Sequence, residues 1–223
     1  MSSSPPIKLI TLTDPRSPVS EAYRALCTNL TFASLDRRVA TLLITSAGPE
    51  EGKSTNVANL AVTLAEREIR TIVVDCDLRH PVQHDIFGLS NEQGLTSLFL
   101  HETTWADPPL QEVGVDNLWV LPSGPLPLIP SQLLGLRRLP DVIALLSQRG
   151  DMVLFDAPPL MAVPDASMLA AHMDGVLLVV SAGRTRREHL RRAQQQLARV
   201  RAHLVGAIMN DVPLEARFRR YYG

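Results

Sequence analysis

An apolar, β-rich run, Val39–Ser46, leads directly into Ala47-Gly-Pro-Glu-Glu-Gly-Lys-Ser54. A helical pattern follows at once, with Val57, Leu60, Ala61, Leu64 and Ala65 on one face of Thr55–Arg67. Strand, glycine-containing loop and helix in that order constrain the fold more than any other feature of the chain. The loop exposes consecutive backbone N–H groups, and the helix turns its positive end to the same point, so that together they cradle phosphate. The spacing is that of a Walker A loop, with Ala47 in the place usually written Gly. Gly48, Pro49, Glu50, Glu51, Gly52, Lys53, Ser54 and Thr55 are therefore expected to surround the phosphates of ATP. Lys53 is expected to neutralise the β- and γ-phosphates and the Ser54 hydroxyl to ligate Mg²⁺. Of 22 basic residues only Lys8 and Lys53 are lysines. A chain that otherwise uses arginine has kept a compact ammonium where the site is confined. A carboxylate at Glu50 is repelled by a triphosphate unless it points outward to solvent or to a partner subunit.

Two further apolar strands end in acids. Thr71–Cys76 runs into Asp75-Cys-Asp-Leu-Arg79, and Met152–Phe155 is closed by Asp156. In an open α/β sheet, ligands bind outside the carboxyl ends of the strands, so these acids are expected beside the phosphate loop. Asp75 and Asp77 lie two apart and share one face of extended chain, while Cys76 points the other way, into packing. Paired carboxylates there suit Mg²⁺, largely through waters, and supply a base for a hydroxyl proton. Asp156 fits a Walker B acid.

The rest of the chain reads in outline. Residues 1–18 hold four prolines and read as an extended arm. Ser20–Leu35 reads as a helix capped by Ser20, and Gly94–Leu100 as a short helix. Asn117–Leu121 reads as a strand, 122–131 as a proline-rich loop, and Gln132–Arg149 as a helix broken at Pro140. Ala166–Met173 and Thr185–Arg201 read as helices, Val176–Ser181 and Leu204–Met209 as strands. This alternation implies an α/β fold: a doubly wound, mainly parallel sheet flanked by helices. The expected organisation is an arm over 1–18, a P-loop domain over 19–212 and a tail over 213–223. A net charge of -1 gives no electrostatic case for nucleic acid. Two cysteines, Cys27 and Cys76, form neither a disulfide framework nor a zinc motif, and point to a reducing, cytoplasmic setting. Apolar runs such as Val176–Val180 fall far short of the ~20 residues a spanning helix needs, so contact with a membrane is expected through a partner. The arginines of 184–201 surround an apolar stripe and read as a solvated outer face.

The set AGPEEGKST, VVDCDLRHP and VLFDAPP resembles the bacterial tyrosine kinases of capsular and exopolysaccharide assembly, which are similar in fold to the MinD/ParA P-loop ATPases. The similarity covers about residues 17–212, and its most discriminating motif is Asp-x-Asp-x-Arg, similar to that family's Walker A′ element. MinD/ParA proteins usually carry a lysine where this chain has Gly48, which favours the kinase branch. The resemblance implies ATP-dependent phosphorylation of tyrosine. Lys53 and Ser54 hold phosphate and Mg²⁺, and Asp75 and Asp156 hold the metal's water shell. Asp77 takes the tyrosine proton, Arg79 orients the phosphate site or the acceptor, and Asn210 contacts adenine. Relatives form rings through a Glu-x-x-Arg-x-x-Arg helix, matched here by Glu21 and Arg24 with Cys27 in the last place. They also carry a tyrosine-rich tail, matched here by Tyr221 and Tyr222 as phosphoacceptors. A transmembrane activator of the polysaccharide chain-length type, further copies of the chain in a ring or dimer, and protein tyrosine substrates are the implied partners. The implied location is the cytoplasm, at the inner face of the plasma membrane when the activator recruits it.

Two other readings stay open at this point. A MinD/ParA-like switch hydrolyses ATP without making phosphotyrosine. A non-catalytic ATP-binding scaffold, suggested by Glu50, Cys27 and the short tail, binds the nucleotide and turns nothing over.

Overall fold

A computed structural model describes residues 8–33, 37–134 and 138–213. Its centre is one seven-stranded sheet: β1 (Thr41–Ser46), β2 (Thr71–Asp75), β3 (Gln111–Glu112), β4 (Leu118–Leu121), β5 (Met152–Asp156), β6 (Gly175–Ser181) and β7 (Leu204–Asn210). Their spatial order is β3-β4-β2-β5-β1-β6-β7. All pairings are parallel except β3 with β4. Every residue of β1, β2, β5 and β6 is buried, which is why these strands read as unbroken apolar runs rather than as alternating patterns.

Helices cover both faces. They are α1 (Ile10–Thr13), α2 (Pro18–Ala33), α3 (Lys53–Ala65), α4 (Gln83–Phe87), α5 (Leu95–Leu100), α6 (Pro130–Leu134), α7 (Leu139–Ser147), α8 (Asp165–Ala170) and α9 (Arg187–Arg199). On one face α2 and α3 pack over Leu42, Ile44, Val73 and Leu154. On the other, α5, α7, α8 and α9 pack over Leu43, Ile72, Val153 and Phe155. Successive strand residues thus feed opposite cores, and the α/β fold expected from the alternation is what forms. The outward face of α9 is exposed, with Ala193 and Leu197 turned inward, as the apolar stripe implied.

Several local expectations need correction. The arm is not wholly extended: Ile10–Thr13 makes a helical turn, Leu9 is buried, and the Thr11 N–H and hydroxyl both donate to Asn59 Oδ1 on α3, at 3.2 and 3.0 Å. A polar residue that finds a buried partner on a neighbouring helix overrides the proline-rich composition around it. The long helix begins at Pro18, and its first turn is capped by Ser17, whose Oγ accepts the Ser20 N–H at 3.2 Å. Proline is well suited to the first helical position, which moves the cap three residues upstream of Ser20. The 132–149 region is two helices, with α7 starting at Leu139 so that Pro140 sits in its first turn rather than breaking it. The short α4 and the two-residue β3 carry too few residues for a periodic signal.

Leu154 lies fully buried in β5, two residues before Asp156. Leu154→Ala is expected to lower the unfolding free energy by roughly 2–5 kcal/mol in a urea titration, with the slope of the transition unchanged.

Candidate functional site

The sheet register brings the acids together. Asp75 and Asp156 are direct partners across β2 and β5, and Ile44 of β1 pairs with Asp156 on the other side. Three adjacent strands therefore end within two residues of one level, β1 running on to Ser46, and the loops leaving them share one rim. The phosphate loop starts at the top of β1, and α3 begins at Lys53 with Gly52 as its N-cap.

Gly52 has φ +83, and a Cβ there would meet Asn210 Nδ2 at 2.2 Å. Only glycine takes that turn beside that neighbour without strain. Asn210, at the end of β7, donates from Nδ2 to the Glu51 carbonyl at 3.1 Å and so braces the loop from outside. The Glu51 carboxylate is turned into the protein. It accepts the Ala47 N–H at 3.0 Å and the Thr185 hydroxyl at 2.7 Å, holding the two ends of the loop and the β6–α9 connection in one cluster. Of the expected phosphate-facing residues, Glu51 is thus a buttress through its side chain. Glu50 has the outward orientation its charge requires: φ is 57, the side chain is largely exposed, and its carboxylate lies 3.6 Å from Arg184. Pro49 and Thr55 are exposed, and Gly48 accepts the Ser46 hydroxyl at 2.6 Å.

Lys53 bends across the loop. Its Nζ lies 2.9 Å from Asp77 Oδ2, 3.7 Å from Asp156 Oδ1, and 3.2 Å from Ser54 Oγ. Burial alone disfavours its charge, but Asp156 and Asp77 outweigh that and hold the ammonium above the ordinary lysine range. Asp156 is fully buried, which pushes its carboxyl up, against the pull of the Lys53 charge and of the hydrogen bond from Gln83. Asp75 is pushed up to about 8, first by burial and then by the neighbouring Asp156 charge.

Asp75 and Asp77 do not share their work in the way their spacing suggested. Both Asp75 oxygens are taken by backbone: Oδ1 accepts the Asp77 N–H at 3.2 Å, and Oδ2 accepts those of Val82 and Gln83, each at 2.9 Å. A buried carboxylate on the last residue of a strand is the nearest acceptor for a departing turn, and that geometry claims it. Asp75 shapes the loop, whereas Asp77 Oδ2 faces Lys53. Arg79 reaches away to Asp165, Nε to Oδ2 at 3.0 Å, and ties the β2 loop to the start of α8. Cys76 is buried in the core, as expected. Asp156 keeps one oxygen, Oδ1, buried and without a hydrogen-bond partner among the described residues.

Three participants were missed from sequence: Gln83, Asp165 and Thr185. Gln83 is fully buried and donates from Nε2 to Asp156 Oδ2 at 2.8 Å and to the Ser54 carbonyl at 3.1 Å. An amide within an otherwise apolar-and-turn stretch gives no periodic signal, though its closeness to the Asp-x-Asp motif was available as one. An acid after Pro164 at a helix start was the available signal for Asp165.

Elsewhere, Glu21 and Arg24 pair with each other on the exposed side of α2, at 2.5 Å. Cys27 is buried beneath that helix, its thiol pushed up to about 11 by burial, and faces the core rather than the surface that Glu21 and Arg24 share. Tyr23 is buried too. Its hydroxyl donates to Asn56 Oδ1 at 3.1 Å, and burial pushes it up to about 12. Tyr221 and Tyr222 lie outside the described residues. A groove of about 320 Å³ opens between α2 and β7 and ends at Asn56 and Asn210.

No group of three or more His, Cys, Asp or Glu residues among the described ones is poised to bind a metal ion alone. Mg²⁺ in nucleotide sites keeps several waters and takes ligands from one or two protein groups and from phosphate oxygens. Asp156 Oδ1 and the Ser54 hydroxyl are oxygen donors of the kind such an ion takes, and the Lys53 ammonium now stands beside both, 3.7 and 3.2 Å away.

Residues 42–222 match the family model described as the CobQ/CobB/MinD/ParA nucleotide binding domain. The chain is 41% identical over 216 residues to tyrosine-protein kinase YwqD of Bacillus subtilis, covering 96% of this chain and 91% of that protein. It is 32% identical to tyrosine-protein kinase CpsD of Streptococcus agalactiae, covering 86% and 83%. The solved kinase domain of Escherichia coli tyrosine kinase ETK superposes with a TM-score of 0.89 at 29% identity, covering 97% of this chain and 84% of that one.

Gly52→Ala combines a left-handed backbone with a side-chain collision. The expected outcome is a protein less stable in a urea titration by at least about 1–2 kcal/mol, the penalty for a left-handed non-glycine residue alone, and, where the loop shifts to relieve the collision, weaker binding of a fluorescent ATP analogue. Removing the collision in Gly52→Ala/Asn210→Ala should leave that backbone penalty in place.

Proposed function

The chain belongs to the CobQ/CobB/MinD/ParA nucleotide-binding family and, within it, to the bacterial tyrosine-protein kinases, and from that premise we propose that its rim binds Mg²⁺-ATP and passes the γ-phosphoryl group to tyrosine hydroxyls. The observation that carries this reading is the meeting of Lys53, Asp77 and Asp156 at the ends of three adjacent strands. Phosphoryl transfer asks a protein mostly for positioning and for neutralisation of charge, and this cluster can give both.

In this reading the backbone of residues 48–54 and the positive end of α3 receive the phosphates, and the Lys53 ammonium swings from Asp77 to the β- and γ-oxygens. Loss of that ion pair frees Asp77 Oδ2, which then accepts the proton of an incoming tyrosine. Ser54 Oγ and Asp156 hold Mg²⁺ or its waters, and the bound ion supplies neutralisation of the charge that develops on the transferred group. Asp75 acts indirectly, by fixing the loop that carries Asp77. Arg79, anchored by Asp165, sets the wall of the site on the side where an acceptor enters. The Asn210 Oδ1, next to the groove between α2 and β7, is available to an exocyclic amine of adenine.

Tyr221 and Tyr222 are the proposed acceptors within the chain, Tyr23 being buried and hydrogen-bonded. Glu21 and Arg24, half-buried and paired with each other, are the groups proposed to meet a neighbouring copy in a ring or dimer. No helix among the described residues is long and apolar enough to cross a membrane. A transmembrane activator that recruits the chain to the inner face of the membrane, and an output in polysaccharide polymerisation or export, complete the proposal. A MinD/ParA-like switch without phosphotransfer is the less favoured reading, since the curated relatives named above are kinases by name and Gly48 replaces the loop lysine of that branch.

Incubation with labelled ATP, Mg²⁺ and the cytosolic tail of the activator, followed by mass spectrometry, should place phosphate on Tyr221 or Tyr222, and Lys53→Met should abolish it. Released phosphate without phosphotyrosine would instead support the switch, and neither product would support the scaffold. A second outcome follows from Asp75, raised to about 8 in the ligand-free chain. A bound cation stabilises the ionised cluster and lowers that value, so binding below pH 8 releases a proton. The calorimetric enthalpy of Mg²⁺-ATP binding should therefore vary with the ionisation enthalpy of the buffer at pH 7 and lose that variation at pH 9.

A further inference from the structure

Gln83 opens α4 and is fully buried. Two of its groups reach three different pieces of the rim. Its backbone N–H donates to Asp75 Oδ2 at 2.9 Å, while its side-chain Nε2 donates to Asp156 Oδ2 at 2.8 Å and to the Ser54 carbonyl at 3.1 Å. Nitrogen must stand on that side: the flipped amide would set oxygen against a carboxylate and a carbonyl at hydrogen-bond distance. With both amide hydrogens committed, Gln83 Oε1 is left buried and without a partner among the described residues, as is Asp156 Oδ1. A side chain that holds a buried carboxylate by one oxygen leaves the other oxygen in a fixed direction. Here that open oxygen is the one 3.7 Å from Lys53 Nζ. The same amide fixes the backbone of Ser54, whose hydroxyl lies 3.2 Å from Lys53 Nζ.

We propose that Gln83 is a positioning residue for the cation: its amide clamps Asp156 to the first turn of α3, so that Asp156 Oδ1 and Ser54 Oγ are presented together. Asp75, through the Gln83 N–H, locks the clamp to the Asp77 loop, which couples the acid that holds the cation to the base that takes the proton. The proposal rests on reading the rim as the Mg²⁺-nucleotide site. Groups that orient ligands from behind typically change metal affinity or activity by about 10–100-fold when removed.

Gln83→Met keeps length and burial and removes both donors, and Gln83→Asn keeps the donors one methylene short. Nucleotide affinity is measured with a fluorescent ATP analogue in EDTA and across a Mg²⁺ titration, alongside urea unfolding. The expected result for Gln83→Met is a rise of about ten-fold or more in the Mg²⁺ concentration that half-maximally tightens nucleotide binding, with metal-free affinity changed less than about three-fold. Gln83→Asn should lie between it and the parent, and it carries the same comparison if the Met variant does not fold. A parent-like Mg²⁺ response in the variants, or a parallel loss of metal-free and Mg²⁺-dependent affinity, overturns the role assigned to Gln83. A parent chain whose nucleotide affinity ignores Mg²⁺ overturns instead the reading of the site on which the role rests.

Discussion

The rest of the site depends on the burial of Asp156 beside Asp75 with a single ammonium to offset them. Two carboxylates paired across adjacent parallel strands, both without solvent exposure, form an arrangement that folding alone does not favour, because desolvating each charge costs several kcal/mol. Lys53 and the Gln83 amide offset part of that cost. The remainder appears as carboxyls displaced upward from their ordinary range and an Asp156 oxygen that accepts no hydrogen bond among the described residues. Strain of this kind concentrates where a ligand relieves it. A cation with a polyphosphate is the ligand proposed for it, because its charges match: the cation would meet the acids, and the phosphates would draw Lys53 away from them.

The same arrangement explains the division of labour among the acids. Asp75 is spent on backbone N–H groups and therefore defines geometry rather than chemistry. Asp156, held by one oxygen only, keeps the other for a partner. Asp77, outside the strand, is free to exchange Lys53 for another donor. Glu51 repeats the logic on the far side of the loop. A carboxylate that would repel phosphate is folded inward onto the Ala47 N–H and the Thr185 hydroxyl, while Glu50 is turned out toward Arg184. The chain thus carries two consecutive acids in this loop by turning one side chain inward and the other out to solvent.

Much of this was legible in the sequence because it is written in periods and spacings. The buried strands and α3 follow from apolar runs and a helical stripe, and the loop follows from its glycines and Lys53 between them. Parallel pairing then placed Asp75, Asp77 and Asp156 together without further information. What was illegible depends on contacts that no local pattern encodes. The Thr11–Asn59 bond turned part of an arm into a helix docked on α3. Whether Asp75 faces a cation or its own loop depends on where Val82 and Gln83 send their N–H groups. Cys27 matched a family arginine by position, yet its place under α2 shows that position and exposure are separate facts.

The most direct measurement is a crystal structure with Mg²⁺ and a non-hydrolysable ATP analogue. The account requires Lys53 Nζ to leave Asp77 for the β- and γ-phosphates, and the ion to sit within reach of Ser54 Oγ and the Asp156 Oδ1 side, with Gln83 unmoved. An analogue bound elsewhere, or seated at the loop with the Lys53–Asp77 pair intact and Asp156 turned away, would contradict it.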